Sequence, residues 1–170
     1  MEKWKNSVVV ITGANSGIGL TILKKIAEVG LKVVGLDIQL EAIEQLKIEL
    51  KDAKIYTWYC DVSDDESAEN AFNWIGKNVG NVDILINSAG IHKNIAILDK
   101  HKTMAEIANH IDVNFTGAVR CSRLIINSLE ARDSHGYIIN INCVYGHYVL
   151  PTRDVQLGIF GGNKFALKAT

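Results

Sequence analysis

The sequence predicts an α/β protein with a doubly wound parallel sheet and helices on both faces. Two observations carry this. Short β-branched, apolar runs alternate with longer amphipathic stretches along the 170 residues. Alternation of that kind builds βαβ units, whose right-handed crossovers lay the strands parallel. The first run, SVVVITG (7–13), is unbroken apolar from Val8 to Ile11, as expected of a strand buried on both faces.

Each element follows in order. SGIGLTILKKIAEVG (16–30) places Ile18, Ile22, Ile26 and Val29 at helical spacing, with Gly30 as its stop. KVVGLD (32–37) is a second strand and QLEAIEQLKIEL (39–50) a second amphipathic helix. KIYTWYCDV (54–62) reads as strand three, before the charged helix DDESAENAFNWIGKN (64–78). VDILINSAG (82–90) is strand four. After a loop, residues 103–131 are long enough for a short helix running into a longer one, and GYIININ (136–142) is strand five. No linker, repeat or low-complexity tract interrupts residues 1–170, so a single domain is expected.

Composition excludes several classes. With 48% hydrophobic residues, 22% charged residues and a single Pro, the chain is ordinary globular protein rather than disordered. A net charge of −1 with no basic block argues against nucleic acid or an anionic membrane as partner. The apolar run near the N-terminus is too short for a signal peptide or membrane span. Cys60, Cys121 and Cys143 are odd in number and widely spaced, which fits a reducing compartment and a cytoplasmic protein. His92, His101, His110, His135 and His147 show no helical-turn pairing, so surface or cofactor-neighbour roles are expected and no metal site. Asn114-Phe115-Thr116 is formally a glycosylation sequon, with little weight in the absence of a secretory signal.

TGANSGIG (12–19) stands directly after strand one and opens helix one, where a dinucleotide fingerprint belongs. Gly13 permits the tight turn, Gly17 lets backbone approach a pyrophosphate, and Gly19 allows close helix–strand packing. Backbone N–H groups around Asn15, Ser16 and Ile18 are expected to face the phosphates at the positive helix end. A glycine-rich turn without a ligand is the plainer alternative, which the strand–turn–helix context disfavours. Asp37 ends strand two, eighteen residues beyond Gly19, where a ribose-binding carboxylate is expected. No Arg or Lys stands at 14–16 or at 38 to offset its charge against a 2′-phosphate, so NAD is expected over NADP.

TGANSGIG, with CDV (60–62), NSAG (87–90), Asn114 in VNFTG and Lys164, resembles the short-chain dehydrogenase/reductase superfamily of the NAD(P)-binding Rossmann type. The resemblance runs from about residue 6 to the end, and GYIININCVYGHYV (136–149) is most similar to the insect farnesol dehydrogenase-like branch. It implies an oxidoreductase acting on an alcohol or ketone, here a lipophilic one, with the chain pairing as a homo-oligomer. It further implies that Asp61 and Val62 lie against the adenine, by the Asp61 side chain or the Val62 backbone. Asn87, Ala89 and Gly90 would line the pocket under ribose and nicotinamide. Asn114 would interrupt its helix and hold a water of the proton relay. Lys164 would grip the nicotinamide ribose and lower the pKa of a neighbouring phenol.

The same resemblance exposes two substitutions at the catalytic positions. The family's Ser aligns with Cys143, a poorer hydrogen-bond donor, and its Tyr, four residues before the Lys, aligns with Phe160. Phe has no proton to give, so catalysis is expected to be weak or lost, leaving a non-catalytic NAD-binding module or a fragment of a dehydrogenase as alternatives. Tyr145 and Tyr148 are expected to pack loops or line the substrate mouth. Family members continue beyond the point matching Thr170, so the fold is expected to lack its C-terminal part. Strand five then becomes an exposed edge.

Overall fold

β1 (Val8–Thr12) is apolar on both sides because both are covered. The computed structural model describes residues 4–92, 101–148 and 158–170; Val149, the last residue of the stretch 136–149 quoted above, lies outside them. In chain order, β1 is followed by α1 (Gly17–Glu28), β2 (Lys32–Asp37), α2 (Glu41–Glu49), β3 (Ile55–Tyr59), α3 (Asp65–Asn78) and β4 (Val82–Asn87). Then come α4 (Met104–Ile111), a π-helical turn (Asp112–Thr116), α5 (Gly117–Ala131), β5 (Tyr137–Asn140) and α6 (Gly158–Lys168). The strands form one parallel sheet in the order β3-β2-β1-β4-β5. The order reverses between β1 and β4, and ligands of such sheets bind beyond the carboxyl ends of the strands at that switch point.

The side-chain period of two splits the core into two layers. Val8, Val10, Val34 and Leu85 pack under α3 and α5 against Ala71, Ile75, Cys121 and Ile125. Val9, Ile11, Val33 and Ile86 pack under α1 and α2 against Leu23, Ala27, Ile43 and Leu46. The expected doubly wound architecture with helices on both faces is therefore present.

Three details differ from the sequence reading. The buried stripe of α1 is Gly19, Leu23 and Ala27, whereas Ile18 and Val29 are 60% and 63% exposed. Gly19 takes the place nearest the β1 turn because the helix lies almost in contact with it there. β3 and β4 stop at Tyr59 and Asn87, so Cys60–Val62 and Ser88–Gly90 are the loops beyond the strand ends rather than strand. β5 is shorter than expected; among the described residues it is the last strand on its side of the sheet, and Tyr137 and Ile139 are 57% and 46% exposed, with the Trp4 ring 5.2 Å from that of Tyr137.

Candidate functional site

The loops beyond β1, β2, β3, β4 and β5 converge with α6 on a cleft of about 560 Å³. Its middle is the turn after β1. Gly13 has φ +65°, and a Cβ there would lie 2.5 Å from Ala89 Cα. A Cβ on Gly19 would lie 2.1 Å from Gly13 O, so helix and turn can meet only without side chains. Ser16, Gly17 and Ile18 line the cleft. The Ser16 side chain makes no cap hydrogen bond and the first turn of α1 carries no acid. The amide donors there are thus left for an anion at the positive helix end.

Asn15 does something other than expected. Its N–H donates to Asp37 Oδ2 at 3.0 Å, and its Oδ1 accepts from the N–H groups of Ala42 and Ile43 at 2.8 and 3.2 Å. Asn15 therefore joins β2 and the start of α2 to the turn, and its amide is not offered to a phosphate. Asp37 lines the cleft, with Oδ1 also accepting from Gln39 N–H at 3.1 Å. Two backbone donors hold this carboxylate in place.

On the same side, Asp61 and Val62 line the cleft. Asp61 Oδ1 accepts from Ser63 N–H and Oγ–H at 2.9 and 2.6 Å, and the Val62 carbonyl accepts from Arg120. Of the groups expected to meet an adenine, the Val62 carbonyl and Asp61 Oδ1 are thus already engaged.

On the opposite side, Ala89 and Gly90 line the cleft as expected, but Asn87 does not. Its side chain is 4% exposed and braces β4, donating to Ser122 Oγ at 3.1 Å and Asn140 Oδ1 at 2.9 Å. Thr12, which the sequence reading left out, holds the Ser88–Ala89 turn: its Oγ1 accepts both N–H groups at 3.2 Å. A buried polar residue ending an apolar strand just before Gly13 is the signal that marks it. Asn114 lies in the π-helical turn, so it does interrupt its helix. At 1% exposure it is closed to glycosylation. Both ends of its amide hold Ile91: Oδ1 accepts the N–H and Nδ2 donates to the carbonyl, each at 2.9 Å.

Cys143, Phe160 and Lys164 line the same cleft. Lys164 Nζ donates to the Ile141 carbonyl at 3.1 Å and lies 5.6 Å from the Phe160 ring centre. Burial lowers the Lys164 pKa, partly offset by neighbouring Cys143. Asn142 locks the pair of segments, its Nδ2 donating to the Lys164 carbonyl at 3.0 Å and its Oδ1 accepting from Cys143 N–H at 2.9 Å. The Phe160 ring is met edge-on by His92, Tyr145 and His110. Tyr145 thus packs the loop. Among the described residues no group of three or more His, Cys, Asp or Glu is placed to hold a metal, and no helix is long and apolar enough to cross a membrane.

Residues 7–168 match the family model described as short chain dehydrogenase. The chain belongs to the short-chain dehydrogenase family. It is 36% identical to the farnesol dehydrogenase of Aedes aegypti over 174 residues, covering 99% of this chain and 69% of that one. It is 32% identical to human dehydrogenase/reductase SDR family member 11, covering 99% of this chain and 65% of that one. A metagenomic short-chain oxidoreductase solved in complex with NADP superposes with a TM-score of 0.85 at 25% identity, over 98% of this chain and 73% of that one. This short-chain dehydrogenase chain therefore spans about two thirds of the length of the human relative. The expected fold and family are borne out.

Proposed function

We propose that the cleft binds a dinucleotide, NAD in preference to NADP, and that hydride transfer to or from a lipophilic alcohol or ketone is slow or absent. The turn at Gly13–Gly19 fits a pyrophosphate: Ser16, Gly17 and Ile18 line the cleft at a helix N-terminus whose first turn carries no acid. The fixed carboxylate of Asp37 fits the two hydroxyls of a ribose. Preference for NAD rests on that carboxylate, since an NADP complex occurs among the structural relatives. Bound there, the cofactor supplies a hydride acceptor or donor at its nicotinamide ring.

The observation that carries the catalytic half is Phe160 in the cleft wall beside Lys164. A proton must move when a carbonyl and an alcohol interconvert, and a positioned acid or base contributes roughly 10²–10⁴ in rate. Phe160 has no exchangeable proton, and Cys143 offers only a weak S–H donor. Lys164 lines the cleft with its Nζ on the Ile141 carbonyl, where its charge has no phenol to act on. Substrate binding falls to the apolar wall of Ile91, Val113 and Ile141, which fits a lipophilic group. With the reading go a single domain, self-association and a cytoplasmic setting, in keeping with three free cysteines.

Titrating NADH by its fluorescence and assaying a panel of long-chain alcohols tests both halves. Phe160→Tyr with Cys143→Ser is expected to raise turnover by ~10²-fold or more while NADH affinity stays constant. Natural turnover equal to that of the double variant refutes the impaired-catalysis reading. NADH binding with no turnover in the natural chain identifies a non-catalytic NAD-binding module.

A further inference from the structure

Behind the wall that carries Phe160 lies a buried imidazole that the cofactor reading does not use. His110, on the last turn of α4, is 0% exposed. Asn163, on α6, has its amide nitrogen 3.3 Å from the His110 carbonyl and 3.0 Å from His110 Nδ1. A carbonyl only accepts, so the Asn163 nitrogen faces His110, and Nδ1 must be the acceptor of its second N–H. The ring is then neutral, with its proton on Nε2.

Asn114 gives an independent sign of the same state. Its clamp on Ile91 fixes which end of the amide is nitrogen. That nitrogen lies 2.9 Å from His110 Nδ1 and 3.3 Å from Nε2. A donor in line with one ring nitrogen would be far from the other, so the amide lies over the ring face. An N–H toward a π face suits a neutral ring and opposes a cationic one.

These contacts close a circuit. His110 holds Asn114, Asn114 holds the Ile91 backbone, and the next residue, His92, meets the Phe160 ring at 4.9 Å. Phe160 and Asn163 share α6, and Asn163 returns to His110. Gly90, Ile91, Asn114, Phe160 and Lys164 all line the cleft on the side away from Asp37. With the ribose carboxylate on one side of the phosphate turn, this other side receives the nicotinamide half.

We propose that His110 is a positioning residue for the nicotinamide half of the cleft, a neutral hub that ties Asn114 and the helix of Phe160 and Lys164 to one point. The proposal rests on the dinucleotide reading above. ADP-ribose, which lacks the nicotinamide, separates the two halves. In His110→Leu, NADH affinity is expected to fall roughly tenfold, the loss that follows from one buried hydrogen-bond acceptor removed, while ADP-ribose affinity stays within about twofold. General destabilisation would weaken both ligands alike. His110→Asn, whose Oδ1 can stand where Nδ1 stands, is expected to recover most of the loss. Should His110→Leu fail to fold, Asn163→Leu leaves the imidazole in place and is expected to give the same selective loss. Nitrogen NMR of the histidine-labelled natural chain is expected to report an unprotonated Nδ1. Equal weakening of both ligands, unchanged NADH affinity in the variants, or a protonated Nδ1 overturns the proposal. A natural chain that binds neither NADH nor ADP-ribose overturns the cofactor reading as well, whereas binding of both with unaffected variants overturns this proposal alone.

Discussion

Replacing Asp37 by Ser is expected to erase discrimination between NADH and NADPH. The carboxylate cannot turn aside from an incoming 2′-phosphate, because Asn15 N–H and Gln39 N–H hold its two oxygens at 3.0 and 3.1 Å. A phosphate monoester carries about −1.5 to −2 charge at neutral pH. Two unit charges about 4 Å apart repel by roughly 1 kcal/mol in water and roughly 4 kcal/mol at an effective dielectric near 20. Asp37 is half-buried at the rim of an open cleft, so the solvent-screened end applies. A penalty of ~2 kcal/mol corresponds to about 30-fold tighter NADH than NADPH. In Asp37→Ser the ratio falls to near unity, chiefly because NADPH binds better. The lost backbone acceptors cost about 1 kcal/mol of stability, visible as a modest fall in the denaturation midpoint. Paired fluorescence titrations at low and high salt measure the ratio, and salt narrows the gap in the natural chain because the charges are partly exposed. Equal affinities in the natural chain, or a ratio that Asp37→Ser leaves unmoved, refute the reasoning.

Three further outcomes follow from the site. Thr12→Val keeps the shape of β1 but leaves the Ser88 and Ala89 N–H groups without their acceptor. Chemical denaturation should show a loss of roughly 1–3 kcal/mol, and a loss below experimental error would count against the buried role. Burial pushes the Cys60 and Cys121 thiols up to about 12, and both residues are buried whereas Cys143 is half-buried on the cleft wall. An aromatic disulfide reagent at pH 8 is therefore expected to label Cys143 alone in the folded chain, with NADH protecting it, and the other two only after unfolding. Lys164 has its folded pKa lowered by burial, so the unfolded chain binds more protons at pH values between that lowered value and the ordinary lysine value of 10.5. Stability contributed at this residue rises as pH climbs through that window. Lys164→Met should flatten that rise in a pH series of melts, and an unchanged slope would contradict the burial.

The sheet was legible because parallel strands covered on both faces have to be continuously apolar, and Val8–Ile11 and Val33–Leu36 are. Helix α1 was misread on its inner face for a physical reason. Hydropathy scores Ile18 and Val29 above Gly19 and Ala27, but close approach of helix and turn rewards the absence of side chain. Ile18 is exposed on the helix surface and lines the cleft, so it belongs to the cleft wall and not to the buried stripe. Asn15 and Asn87 kept the family pattern but brace backbone and neighbouring strands, because short amides satisfy buried donors and acceptors as readily as they bind ligands. His110 gave no usable signal of its role: its partner Asn163 is 53 residues away in sequence and meets it only through the fold.

The π-helical turn at Asp112–Thr116 acts as an angular offset between α4 and α5. One extra residue in a turn advances the following helix by roughly 100° relative to an uninterrupted α-helix. With the offset, α4 turns His110 inward while α5 still delivers Cys121 and Ile125 to the sheet. Removing a single residue from the turn would swing one helix about its axis against the other. Either the core would lose Cys121 and Ile125, or the cleft would lose Asn114. The protein's two demands, a sealed sheet and an open pocket, are reconciled by the phase of one helical turn.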